Sequence, residues 1–93
     1  MVKILNVMDE HSNFKSLVNG EYESGYWWRP DNDCTIIRLF GNDKGPSFLG
    51  GTIHGKRISE KQRTIFSFKD DPAQHGKPRP HHFKHNGCLA TDE

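Results

Sequence analysis

Residues 34–40 constrain the fold most. Cys34-Thr35-Ile36-Ile37-Arg38-Leu39-Phe40 is β-branched and apolar, sits between turn-forming residues and suits a pleated strand. A strand sends alternate side chains to opposite faces, so Ile37 and Leu39 share one face and Cys34, Ile36, Arg38 and Phe40 the other. Segment 63–69 repeats the pattern and points Phe66 and Phe68 the same way. Val2 to Val7 alternates more loosely, and 21–29 is aromatic and strand-like. Ser47 to Ile58 reads as a strand broken at Gly50-Gly51, where a bulge or sharp bend is expected.

Turn signals fall between these segments: Pro30-Asp31-Asn32-Asp33, Gly41 to Pro46, and Ser59 to Gln62. The expected fold is mainly β, a β-rich α+β arrangement. It is a small curled antiparallel sheet or barrel of about five strands. One short N-terminal helix is expected as well. Phe14, Leu17 and Val18 stand at i, i+3 and i+4 behind a cluster of capping residues, and Asn19-Gly20 would end the helix.

Composition sets the size of the core. The chain has 93 residues, 32% hydrophobic and 11% aromatic. That length supports one small domain, and the aromatic rings must supply much of its interior. We expect the domain to occupy residues 1–69. From Asp70 onward only Ala73, Phe83, Cys88, Leu89 and Ala90 are apolar, and prolines stand at 72, 78 and 80. Residues 70–93 therefore read as an irregular, Pro/His-rich basic tail that builds no core of its own and docks on the domain.

No apolar run is long enough to cross a membrane as a helix, and no membrane partner is expected. The first residues carry no long apolar signal core, so a cytoplasmic protein with free Cys34 and Cys88 thiols is expected. Formal net charge is +1, but its distribution is uneven. From His54 to His85 there are eight Lys/Arg against three acids, and five of the six histidines fall in the same stretch. Such asymmetry points to an anionic partner. Four tail histidines among Lys77, Arg79 and Lys84 make that segment most cationic below about pH 6.5.

Three functional readings follow. The first is a non-enzymatic binding module whose partner is a nucleic acid or a protein. Trp27 and Trp28 point to opposite faces of a strand, so one of them meets either core or partner. With Arg29, Lys56, Arg57 and Arg63 they make an aromatic-basic surface able to stack bases or anchor an interface. A homodimer is a further expectation, because a small domain with open strand edges gains stability by pairing.

The second is a small metal-independent ribonuclease. His54 and Arg57 would lie on a cationic hairpin with Arg63 and Lys69, and Glu60 or His82 would complete the acid–base set. The third keeps the binding module and adds a structural zinc site. His75, His82, His85 and Cys88 offer nitrogen and sulfur donors on a short tract, although the paired Cys-x-x-Cys half-site is missing. Zinc is the one cofactor this sequence brings into view; the binding reading needs none. No motif names a reaction. The glycines of 41–45 lack the Lys-Ser ending and following helix of a phosphate loop.

Overall fold

A computed structural model describes residues 2–8, 14–24, 34–41, 45–58, 63–80 and 88–92, with the Cys88 and Leu89 side chains excepted. The strands are β1 (Lys3–Met8), β2 (Lys15–Ser16), β3 (Glu21–Glu23), β4 (Ile36–Phe40), β5 (Leu49–Ile58), β6 (Thr64–Lys69) and β7 (Cys88–Asp92). They form one mixed sheet in the order β2-β3-β6-β5-β4-β1-β7. Mainly β is the correct class.

The sheet is larger than the five strands expected, and it is not wholly antiparallel. β1 and β4 run parallel, with Leu5 opposite Ile37 and Val7 opposite Leu39. A parallel pair needs a long connection, and the stretch between these strands contains the β2–β3 hairpin. The irregular tail also needs correction. Its end, β7, pairs antiparallel with β1, where Leu5 faces Ala90 and Asn6 faces Leu89. Flanked on both sides, β1 buries Ile4 through Met8 without a break, as a central strand does. Buried Asn6 satisfies its amide by donating from Nδ2 to Thr91 Oγ1 at 2.9 Å.

No N-terminal helix forms among the described residues 14–20. Lys15–Ser16 is a strand, and Val18–Gly20 is a 3₁₀ turn with Asn19 at φ 59° and Gly20 at φ 75°. Two consecutive left-handed residues make the tight turn that matches strand twist, so Asn-Gly closes a hairpin here instead of capping a helix. Glu21 N–H donates to Val18 O, and Leu17 N–H to Glu21 O at 2.7 Å. A helix of two turns would have lacked the length to nucleate by itself. Phe14 still turns inward, against Tyr22 at 6.1 Å and Phe48 at 5.6 Å between ring centroids, while Val18 stays exposed.

The core lies on one face of the curl: Leu5, Val7, Cys34, Ile37, Leu39, Leu49, Phe66 and Phe68, with Phe14, Tyr22, Ile53 and Ala90 packed against it. The faces expected for Ile37, Leu39, Phe66 and Phe68 are the faces observed. Cys34, expected on the Arg38 face, packs with Ile37 and Leu39 instead, since it precedes the strand that begins at Ile36 and does not follow its alternation. The opposite face of β1 and β4 is covered by residues 72–80. Gln74 Oε1 accepts from buried Arg38 Nε at 2.8 Å, and the Arg79 guanidinium lies over the Phe40 ring and donates to the Gly41 carbonyl. Asp71 opens this strap with a side-chain cap on the Ala73 N–H, followed by Pro72 in the first turn.

β5 joins the two halves of the sheet. Its first residues pair with β4 and its later ones with β6. The expected break at Gly50-Gly51 is not where the register slips. Those glycines continue the ladder with β4, opposite Arg38 and Ile37, and the irregularity lies between Ile53 and Gly55.

Candidate functional site

The slip at Ile53/Gly55 places His54 on the sheet. Ile53 pairs with Phe68 and Gly55 with Ser67, so one extra residue of β5, His54, is squeezed in. A bulge of this kind sets two neighbouring side-chain positions on the same side and re-aims the extra residue. In an unbroken strand His54 and Arg57, three positions apart, would point to opposite faces. The bulge brings both to the outer face, which also carries Glu21, Glu23, Ile65, Ser67 and Lys69 by register.

β3 supplies the partners. Glu21 lies opposite Lys69 and Glu23 opposite Ser67, while Tyr22 between them faces Phe68 and stacks on it at 5.8 Å. The alternation thus drives Tyr22 into the core and both glutamates outward. His54 Nε2 sits 2.6 Å from Glu21 Oε2. Arg57 donates from Nε and Nη2 to the two Glu23 oxygens at 3.0 and 3.2 Å, a bidentate grip.

The electrostatics follow this geometry. Hydrogen bonds from Arg57 hold the Glu23 carboxyl below its ordinary value, against the opposing effect of burial, and the charges of Arg57 and Lys15 add to the lowering. Glu23 in turn pushes the Arg57 guanidinium up, first through the same hydrogen bonds. The Arg57 side chain remains 56% exposed, against 15% for Glu23. Two of its five N–H groups bind Glu23, which leaves three for another acceptor.

Between the two ion pairs the face has a low floor. Gly55 has no side chain, and a Cβ built there would touch only Ser67, at 3.8 Å. The arrangement is a shallow cradle with Gly55 and Ser67 as its base. His54 and Glu21 form one wall, Arg57 and Glu23 the other, and exposed Lys69 stands opposite Glu21. It presents an imidazole held by a carboxylate, an oriented guanidinium and an ammonium to solvent.

The residues singled out from sequence fare differently. His54 and Arg57 come together here. Lys56 does not join them, because its register partner is Phe66 and it points away from the Arg57 face. Arg63 immediately precedes β6 and is half-buried. Trp27, Trp28, Arg29, Glu60, His82 and His85 lie outside the described residues, and only the backbone of Cys88 is described. His75, a member of the suggested zinc set, contacts Asp70 Oδ1 through Nε2 at 2.7 Å. That pair borders a cleft of about 350 Å³ lined by Thr52, Lys69, Asp70, Asp71 and Pro72, which adjoins the cradle at Lys69. No group of three or more metal-donor side chains occurs among the described residues.

Sequence reasoning missed Glu21 and Glu23. The available signal was their spacing on either side of Tyr22: if the aromatic ring is buried, both carboxylates face outward. Their meeting with His54 and Arg57 depends on β3 pairing with β6, more than 40 positions away in the chain, and no local pattern carries that. No protein-family model, curated protein or solved structure matches this chain.

Proposed function

We propose that this chain is a small binding module for single-stranded nucleic acid, with the outer face of β3, β6 and β5 as its contact surface. One observation carries the reading: the β5 bulge gathers His54 onto the face that already holds Arg57 and Lys69, around a floor of Gly55 and Ser67. A phosphate needs directed N–H donors and an open approach, and Arg57 offers three N–H groups in a fixed orientation. Glu23 fixes that orientation, so less side-chain entropy is lost on binding.

The test is fluorescence anisotropy of a labelled single-stranded DNA of about twelve nucleotides, titrated at several salt concentrations. Three cations on this side of the sheet, Arg57, Lys69 and Lys15 of β2, which lies opposite Glu23, correspond to a log K against log salt slope near −2, at about −0.7 per phosphate. Arg57→Ala should weaken binding and make the slope shallower by about 0.7. Absence of binding at low salt, or binding indifferent to Arg57→Ala and Lys69→Ala, would overturn the reading.

A protein partner is the second reading, favoured by Glu21 and Glu23, whose carboxylates stand among the cations and leave a surface of mixed sign. It expects no oligonucleotide binding. A photocrosslinking residue at Ser67 should instead capture one partner, and Arg57→Glu should abolish that capture.

A further inference from the structure

We propose that the same cradle cleaves RNA, with His54 as general base and Glu21 as its positioning residue. The inference rests on the nucleic-acid reading and adds a reaction to it. Two observations carry it. Glu21 Oε2 occupies the Nε2 side of the imidazole at 2.6 Å, and the bulge sets His54 beside Gly55 on the face that carries Arg57 and Ser67. The His54 side chain is 50% exposed, so its surroundings admit a substrate.

An imidazole that donates from Nε2 to a carboxylate has its lone pair on Nδ1, and that nitrogen is the base. Arg57 stands on the other wall of the same floor, and the N–H groups that Glu23 does not engage are free to meet an anion bound above Gly55 and Ser67. Lys69, opposite Glu21, adds positive charge on the His54 side.

A ribose phosphate bound in the cradle supplies both reactants. Nδ1 of His54 takes the proton of the 2′-hydroxyl, and the 2′-oxygen attacks the adjacent phosphorus. The developing imidazolium is stabilised by the Glu21 carboxylate. The phosphorane charge is stabilised by Arg57, whose donors are already oriented when charge builds up. The bond from phosphorus to the 5′-oxygen breaks, and the proton gained by the imidazole returns through water to that leaving oxygen. The products are a 2′,3′-cyclic phosphate and a 5′-hydroxyl. Atoms and charge balance without a metal or redox partner, and a strand lacking the 2′-hydroxyl cannot react.

The experiment compares two end-labelled single strands of about twelve nucleotides, one all-ribose and one all-deoxyribose. Binding is read by anisotropy, cleavage on a gel, and the new ends by mass spectrometry. The proposal expects both strands to bind and only the ribose strand to be cut, leaving a cyclic phosphate. His54→Ala should slow cleavage at least about a hundredfold, far beyond whatever deoxy-strand affinity the same variant loses. His54→Gln gives a second variant should the alanine one fail to fold. Glu21→Gln should lower kcat while KM stays within about twofold, since Glu21 acts through the imidazole.

Binding of both strands with no cutting would overturn the cleavage proposal and leave the binding reading standing. Failure of either strand to bind would place the fault in the binding reading itself. Cutting that survives both His54 variants, or a kcat that Glu21→Gln leaves unchanged, would overturn the assigned roles.

Discussion

The two halves of β5 put the same residue type to opposite uses. Gly50 and Gly51 lie where the strand is fully buried, with β4 on one side and the end of β6 on the other. A Cβ at Gly51 would stand 1.9 Å from the Lys69 carbonyl oxygen, and one at Gly50 would stand 2.6 Å from that of Ile37. Gly55, a few residues along the same strand, has only Ser67 nearby at 3.8 Å. Absence of a side chain serves close backbone packing at the first pair and open space at Gly55. A strand divided in this way can hold the fold at one end and present a surface at the other.

Gly51→Ala should have the largest effect. The obstructing atoms are backbone on a neighbouring strand, so relief requires moving β6 or the strap, and the expected loss is at least about 3 kcal/mol. Urea unfolding at unchanged m-value would measure it. A loss under about 1 kcal/mol would mean that the packed half yields readily, and the contrast with Gly55 would fail.

Ser47→Ala comes next. The Ser47 hydroxyl, buried just before β5, donates to Gln74 O at 2.6 Å and accepts from Lys77 N–H at 2.9 Å. Removing it leaves both strap groups short of a bond, at a cost of about 1–3 kcal/mol. Faster hydrogen exchange at the Lys77 amide would locate the damage in the strap. An unchanged amide would show that Ser47 does not hold it.

Much of the packed half was legible in the sequence. Ile37 and Leu39 alternate with Ile36, Arg38 and Phe40 over a run long enough to define two faces, and both are buried from Ile37 to Phe40, with Ile36 half-buried at the strand's start. The open half was less legible, for local reasons. Asn19-Gly20 satisfies both a helix stop and a hairpin turn, and only the pairing of β2 with β3 decides between them. A bulge has no composition of its own, so the sequence could group His54 with Arg57 on one hairpin but not supply the register slip that gives them a common face. β7 has just three apolar residues, Cys88, Leu89 and Ala90, and becomes a strand because β1 offers it an edge.

Gly55→Ala sharpens the comparison from the open side. Space for a methyl group exists, and Ala restricts the unfolded chain, so stability should change by less than about 1 kcal/mol, in the favourable direction. Oligonucleotide binding should weaken, because the methyl group raises the cradle floor. Destabilisation comparable to that of Gly51→Ala would show that Gly55 is also a packing glycine and that the floor is not free.

Glu23→Gln is expected to have the smallest effect, and its pH dependence is what makes it informative. The folded carboxyl titrates below its ordinary value of 4.5, mainly because Arg57 hydrogen-bonds the ionised form. Lowering the folded value means that the unfolded chain binds the proton more readily. The stability contributed is therefore complete above the unfolded value and is lost as pH falls through the lowered folded one. The difference between wild type and Glu23→Gln should be constant at neutral pH, shrink below 4.5 and vanish in stronger acid. Added salt should shrink it too, since Arg57 is well exposed. Ser47→Ala removes an uncharged buried hydroxyl, so its cost should not vary over the same range. If the Glu23 difference persisted in strong acid, packing would be its source, and the outer face would be built on the same terms as the strap.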